Sequence, residues 1–484
     1  MLHLDGVTYT YPFQAEPALR DVSIRVEPGE ALLVTGPSGG GKSTLLRLMN
    51  GLIPHVHGGQ VDGRVALTGQ DMASMSLREI SRNVSTLFQD PEKQFLALTV
   101  ADEIAFALEW RESDPRAVAE KTQRAIHDFG LGELRDASIY ELSEGQKQKV
   151  ALAAVSTLSP RVLTLDEPTA NLDPRASTDL AGHLARLKAE GVTLVVADHR
   201  LAWLGGLVDR VVVIDQGRVV ADGDRSILAD DGFRMRIGLR AVDWPDCGHV
   251  RRSNAPATDC LVRWEQLTFG YRGWPRLFED VDIGIHRDAV TALTGSNGCG
   301  KTTLAKLLAG LIKPRRGALR RCGQVIRPRD LLSATGMAMQ NSELQLYQRS
   351  AIEEVIHAAG GQGNRLNRAE AMGWLSRFGL EGIADRHPQS LSGGQKQRLV
   401  VACAAARAGD LLILDEPTSG LDGAQMHALA DLLEERRAAG LSSLVITHDL
   451  ELIARVCTHE LRLPIDGDRQ DEPTGNPLAM QETI

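Results

Sequence analysis

Apolar and polar positions fall into a pattern that runs along the chain twice. Residues 2–9 and 261–269 alternate, as do 22–26 and 281–285, so each reads as a half-buried strand. Residues 31–35 and 290–294 are apolar without alternation, as expected of strands covered on both faces. Each runs into a glycine-rich segment and then a helical pattern, from Lys42 to a stop at Gly51 and from Lys301 to a stop at Gly310. Residues 115–129 and 368–378 read as polar helices. Apolar runs end at Asp166 and Asp415, and after one more helix come apolar strands at 192–197 and 443–447. Strands alternating with helices predict an α/β fold, with a mainly parallel sheet, an antiparallel β part and a helical part in each copy. Residues 210–220 predict a hairpin turning at Gln216-Gly217, followed by a short helix. Residues 241–259, with Pro245, Gly248 and Pro256, read as a linker. The expected division is a domain at 1–240, a linker at 241–259, a domain at 260–466 and a loose polar tail at 467–484.

The glycine-rich segments are GPSGGGKST (Gly36 to Thr44) and GSNGCGKTT (Gly295 to Thr303). Between a strand and a helix this spacing has a physical logic. Glycines let successive backbone N–H groups converge on phosphate oxygens, and the helix N-terminus adds partial positive charge. The pattern selects Gly36, Ser38, Gly39, Gly41, Lys42, Ser43 and Thr44 in the first copy. In the second it selects Gly295, Asn297, Gly298, Gly300, Lys301, Thr302 and Thr303. Lys42 and Lys301 would reach the terminal phosphates, and the hydroxyls of Ser43 and Thr302 would bind Mg²⁺. Asp166 and Asp415 end apolar strands and would hold the same ion. The residues after them, Glu167 and Glu416, are candidate general bases for an attacking water. Each copy also carries a later short motif, LSEGQ at 142–146 and LSGGQ at 391–395. A histidine follows each, His199 and His448, and the three features keep one offset between copies.

Composition narrows the class. The chain has 484 residues, 24% charged and 43% hydrophobic, and a net charge of −9. That balance argues against a broad nucleic-acid surface. No apolar run is long enough to cross a bilayer. The first residues lack a signal-peptide pattern. Six scattered cysteines fit a reduced, cytoplasmic protein. His55 and His57, two apart in a glycine-rich loop, do not make a metal-ligand set.

The six motif elements, in the same order in both halves, resemble those of ATP-binding-cassette ATPases over about 450 residues. The resemblance implies two P-loop NTPase domains of that type in tandem, and a head-to-tail sandwich in which each ATP lies between one P-loop and the other copy's signature segment. It carries over Tyr11 and Tyr271 as adenine-stacking residues. Gln89 and Gln340 would sense Mg²⁺ and the attacking water, and His199 and His448 would contact the γ-phosphate. Ser143, Gly145 and Gln146, with Ser392, Gly393, Gly394 and Gln395, would close on nucleotide. Glu144 replaces a glycine of the signature. A carboxylate about 4 Å from a phosphate charge would cost about 4 kcal/mol at an effective dielectric near 20. Both glutamates and both histidines are retained, so the expectation is that Glu144 turns away and both sites work. Cys299 lies inside the second P-loop.

The segments after the glutamines, QDPEKQFLAL from Gln89 and QNSELQLYQR from Gln340, share Q-x-x-E-x-Q and a large apolar residue. They resemble ATPases of energy-coupling factor (ECF) transporters, as does GLIPHVHGG (Gly51 to Gly59). That likeness implies an ATP-hydrolysing motor subunit of an importer on the cytoplasmic face of the membrane. Its partners would be an integral membrane scaffold and a small substrate-capturing subunit, and its cargo a vitamin such as a thiamine precursor, or cobalt or nickel. The expected docking groove presents Phe95, Leu96 and Leu98 in one half and Leu346 and Tyr347 in the other. The alternatives are a conventional sugar or peptide importer ATPase and a soluble ribosome-acting double cassette. The short linker and acidic charge weigh against the last.

Overall fold

The computed structural model describes residues 1–464 except 90, 112–113, 171, 255–256, 274, 297, 333 and 361–365. Asn297 and the tail expected at 467–484 therefore lie outside the described residues. The chain divides into two compact units at Asp243–Trp244.

In the first unit the alternating segments form an antiparallel sheet. Its order is Leu19–Val26, Leu2–Thr10, Gln60–Leu67, Gln70–Asp71. The register sets Leu2 opposite Val26 and Leu67, so their side chains share the buried face. The main sheet runs Arg218–Gly223, Arg210–Asp215, Ala31–Thr35, Thr193–Ala197, Val162–Asp166, Val84–Leu87. Its last five strands are parallel, and the first closes the sheet edge as an antiparallel hairpin arm. Ala31–Thr35 and Thr193–Ala197 are buried at every position, which is why neither alternates.

The second unit repeats the plan with a different edge. Its parallel sheet runs Arg251–Arg252, His459–Leu463, Val290–Gly295, Ser442–Ile446, Leu411–Asp415, Thr335–Ala338. The first of these strands falls inside the stretch read as a linker. Arg251 pairs with His459, and Ser253 N–H donates to the Glu460 carbonyl at 3.0 Å. Its antiparallel sheet runs Phe278–His286, Cys260–Phe269, Arg316–Arg321, Gln324–Val325.

Each helical part begins its helices on side-chain caps. Thr99 caps Val100–Glu109, Asp114 caps Pro115–Asp128, and Ser143 caps Glu144–Thr157. Ser350, Asn367 and Ser392 do the same in the second unit. The signature segments are capping boxes. Ser143 N–H donates to Gln146 Oε1 at 2.8 Å and Ser392 N–H to Gln395 Oε1 at 3.0 Å. The Ser-x-x-Gln spacing thus has a local structural cause as well as any ligand role.

Burial sets the cost of substitution. Leu32 is fully buried in the first core, whereas Leu96 is 72% exposed. Leu32→Ala is expected to destabilise the first unit by about 2–5 kcal/mol. Leu96→Ala should stay within about 0.5 kcal/mol. Urea titration of the two variants beside the parent chain measures both.

Candidate functional site

Three parallel strands deliver the site by ending side by side. Val34 pairs with Ala197, and Ala197 with Asp166. The P-loop, the Asp166-Glu167 pair and the Asp198-His199 turn therefore leave the sheet at one edge, where open α/β sheets place ligands. In the second unit Leu293 pairs with Ile446, and Ile446 with Asp415. That brings together the second P-loop, Asp415-Glu416 and His448.

The P-loop glycines are enforced by space. Gly36 has φ 145°, and a Cβ there would sit 1.9 Å from the Ile214 carbonyl oxygen. Gly41 has φ 111°, and its counterpart Gly300 has φ 100°. Neither helix that follows has a side-chain cap, so its first amides stay open for a ligand. Lys42 Nζ donates to the carbonyls of Gly36 and Pro37, both at 3.0 Å. Lys301 Nζ donates to Gly295 at 2.7 Å and Ser296 at 3.1 Å. Among the differences between the loops, one falls at a crowded position. A Cβ at Gly40 would lie 2.7 Å from the Ile214 oxygen, whereas the second loop carries Cys299, half-buried against its own core.

Ser43 Oγ donates to Asp166 Oδ1 at 3.1 Å, and Thr302 Oγ1 to Asp415 Oδ2 at 2.7 Å. Burial, helped by the charge of Glu167, pushes the Asp166 carboxyl up to about 6. Burial raises Asp415 as well. A buried hydroxyl–carboxylate pair short of positive charge suits a hard cation with oxygen ligands.

Glu167 and Glu416 share an uncommon backbone, φ 46° and φ 48°, and both donate their N–H across the sheet end, to Ala197 O and Ile446 O. A non-glycine residue held left-handed in both copies is strain that the surrounding structure maintains. Glu167 Oε1 lies 3.3 Å from His199 Nε2, and Gln89 Nε2 donates to Glu167 Oε2 at 2.9 Å. Burial works to raise the Glu167 carboxyl, but the bond from His199 and the Lys42 charge outweigh it and hold it below the ordinary glutamate range. Burial in turn lowers the Lys42 ammonium against the pull of Glu167. In the second unit His448 Nε2 is 3.7 Å from Glu416 Oε1, and Gln340 is exposed.

Both tyrosines reach the P-loop helix. Tyr11 Oη lies 3.1 Å from Thr44 Oγ1 and accepts from Arg47 at 2.8 Å, while Tyr271 Oη lies 3.3 Å from Thr303 Oγ1. The signature residues stand apart: among the described residues neither capping box hydrogen-bonds to the P-loop of its own unit. Glu144 folds back along its helix, accepting from Lys147 Nζ at 3.1 Å, and Lys147 also bonds Glu92. The second copy keeps the pair Lys396–Glu343. Sequence reading missed Arg47, Asp198, Thr169 and Trp203. Laying the two halves beside each other shows one signal, Ala-Asp-His-Arg against Ile-Thr-His-Asp.

Charge at Asp166 has a stability consequence. Its folded value of about 6 exceeds the ordinary 3.8, so the folded chain holds the proton more tightly. Stability is therefore lost as pH rises from about 4 to 6 and stays lost above. Asp166→Asn is expected to stabilise the nucleotide-free first unit by up to about 3 kcal/mol at pH 7.5 and about half that at pH 5. Melting scans at both pH values check this. An equal gain at both would mean a packing effect instead.

The family model for ABC transporters matches residues 19–170 and 278–419. An ABC transporter ATP-binding protein of Treponema denticola is 34% identical, over 98% of this chain and 96% of its own. A Bacillus subtilis ATP-binding protein, named for HMP/thiamine import, is 32% identical over 96% of this chain and 91% of its own. The structure titled RNase-L Inhibitor covers 95% of this chain and 87% of its own, with TM-score 0.65 at 21% identity, a likeness of fold. Two family matches on two similarly built units, each with its own P-loop, Asp-Glu pair and histidine, lead to one conclusion: the chain belongs to the ABC transporter family, as an ATP-hydrolysing protein with two cassettes in tandem.

Proposed function

We propose that this chain is the motor subunit of an ECF-type importer, taking up a thiamine precursor or similar vitamin, or cobalt or nickel. It would work at the cytoplasmic face of the membrane, docked on an integral scaffold that carries a substrate-capturing subunit. The observation that carries this reading is the exposed apolar surface directly after each glutamine. Leu96 and Leu98 stand out in the first unit, with Phe95 half-buried beside them. Tyr347, 77% exposed, and Leu344 stand out in the second. Leu346, expected in that groove, is instead 5% exposed and packs into the second core. Apolar anchors with a polar surround suit reversible docking of a partner helix. No helix among the described residues is long and apolar enough to cross a membrane, so membrane work would go through partners. The thiamine-import name of the Bacillus relative favours a vitamin cargo.

In this reading, P-loop amides and Lys42 or Lys301 hold the ATP phosphates, and Tyr11 and Tyr271 face the adenine. Gly36, Ser38, Gly39, Gly41 and Thr44, with Gly295, Gly298, Gly300 and Thr303, shape the two cradles. Ser143, Gly145, Gln146, Ser392, Gly393, Gly394 and Gln395 complete nucleotide binding. Mg²⁺, held by Ser43, Asp166 and Gln89 or by Thr302, Asp415 and Gln340, would supply charge neutralisation at the phosphates. Glu167, kept ionised by His199 and Lys42, takes the proton of the attacking water, and Glu416 does so in the second unit. His199 and His448 orient that carboxylate and the terminal phosphate. The Gln89–Glu167 bond makes a direct link, since the chain leads from the docking residues Leu96 and Leu98 back to the glutamine that touches the base.

Two measurements test the reading. Chains carrying Glu167→Gln and Glu416→Gln, extracted with membranes and ATP, should bring down a scaffold protein and one small hydrophobic subunit. Recovery of a permease that works with an extracytoplasmic binding protein would make it a conventional importer. Leu96→Asp with Leu98→Asp should release the chain from membranes at least tenfold without changing its melting temperature. Undiminished membrane recovery would remove these residues from the docking surface.

A further inference from the structure

What stands behind the two histidines differs between the units. In the first, Asp198 precedes His199 and is 3% exposed. Its Oδ1 accepts from Arg200 N–H at 2.8 Å. Its Oδ2 accepts from Thr169 Oγ1 at 2.9 Å and Trp203 Nε1 at 3.1 Å. Its carbonyl accepts from Thr35 Oγ1 at 2.9 Å, the residue that leads into the P-loop. One carboxylate therefore ties together the turn two residues past Glu167, the turn that carries His199, and the turn at Ala202–Leu204. Its three side-chain bonds come from neutral donors. The ionisable groups that act on it through charge include Glu167, His199 and Lys42. A buried carboxylate beside a second carboxylate is costly, and it serves no purpose for packing alone.

The second unit is the internal comparison. Thr447 replaces Asp198, and Leu452 stands where the first copy has Trp203. The hydroxyl of Thr418, the counterpart of Thr169, is buried and has no hydrogen-bond partner among the described residues. The turn there is fixed another way: Asp449 caps the helix Leu450–Val456 through the N–H groups of Glu451 and Leu452, and its own N–H donates to Thr447 Oγ1 at 3.0 Å. The histidine lies closer to its glutamate in the first unit, 3.3 Å against 3.7 Å.

We infer that Asp198 is a positioning residue peculiar to the first cassette, locking His199 onto Glu167 through Thr169 and Trp203. This rests on the proposed role of Glu167 and His199 in hydrolysis. Asn in its place keeps the shape but turns one acceptor into a donor facing other donors. Thr, the residue of the second copy, is too short to reach Thr169 and Trp203 together.

The test must resolve the two sites. Vanadate trapping after ATP hydrolysis, followed by ultraviolet cleavage at the occupied P-loop, gives fragments of different length from the two loops of one chain. Asp198→Asn and Asp198→Thr should lower cleavage at the first P-loop about tenfold at saturating ATP. The ATP concentration for half-maximal cleavage and the second-loop product should stay within twofold. Trp203→Phe, which removes one donor and keeps the ring, should fall between parent and Asp198→Asn, and it serves if Asp198→Asn folds poorly. Unchanged first-loop cleavage in all three variants would overturn the inference. So would a loss that tracks melting temperature and half-saturation, as a merely structural role predicts. If Glu167→Gln leaves first-loop trapping intact, the hydrolytic reading fails and the inference with it. If Glu167→Gln abolishes trapping and the Asp198 variants do not lower it, only the inference fails.

Discussion

The site is governed by the need to keep negative charge at the buried ends of parallel strands. In the first unit Asp166, Glu167 and Asp198 emerge from neighbouring strands whose register leaves them no room to spread. Lys42, His199 and Arg47 compensate this charge, and they do so unevenly. Glu167 receives the first two and is held ionised. Asp166 receives less and is driven up. Asp198 receives neutral donors. In the proposed reading, that gradient sorts three chemically similar groups into a base, a seat for a cation and a brace. It also makes the nucleotide-free site a place of stored cost, which ligand binding can relieve.

The same constraint explains why the P-loop lysine curls onto its own loop. Lys42 and Lys301 both donate to backbone carbonyls of their own loops, while the carboxylates of Glu167 and Asp166 also pull on Lys42. The open helix N-terminus and the inward-turned ammonium suit an anion, and the raised aspartate suits a cation. These complementary demands suit the proposed Mg-nucleotide.

Much of this was legible in the sequence, where local chemistry and tertiary demand agree. The fully buried strands, both P-loops, the Asp-Glu pairs and the histidines stand where the patterns put them, because continuous apolar runs have few alternatives in an α/β unit whose sheet is covered on both faces. The reading failed where neighbours decide. Gln60–Leu67 is a strand whose outer half is exposed and interrupted by Gly63 at φ 88°, so no alternation marks it. Arg251–Arg252 belongs to a sheet only because the strand beside it offers an edge. Leu346 looked like its exposed neighbour Tyr347 but turns into the core. Asp198 carries no sequence signal of its role, since nothing local says that Thr169 and Trp203 will converge on it.

The two units differ in how they hold equivalent groups more than in the groups themselves. Lysine, hydroxyl, aspartate, glutamate and histidine recur. The supports vary: Asp198 against Thr447, Glu144 paired to Lys147 against a glycine, Gly40 against Cys299. In a protein made of two identical chains, any such change would appear at both sites at once. With both cassettes on one chain, a support can change at one site while the other keeps its own. A glutamate in the signature segment is tolerable where Lys147 already stands beside it, shared with Glu92. The second unit, with glycine at that position, leaves Lys396 with Glu343 on this side. The differences therefore mark where each cassette met the same charge constraint with different neighbours.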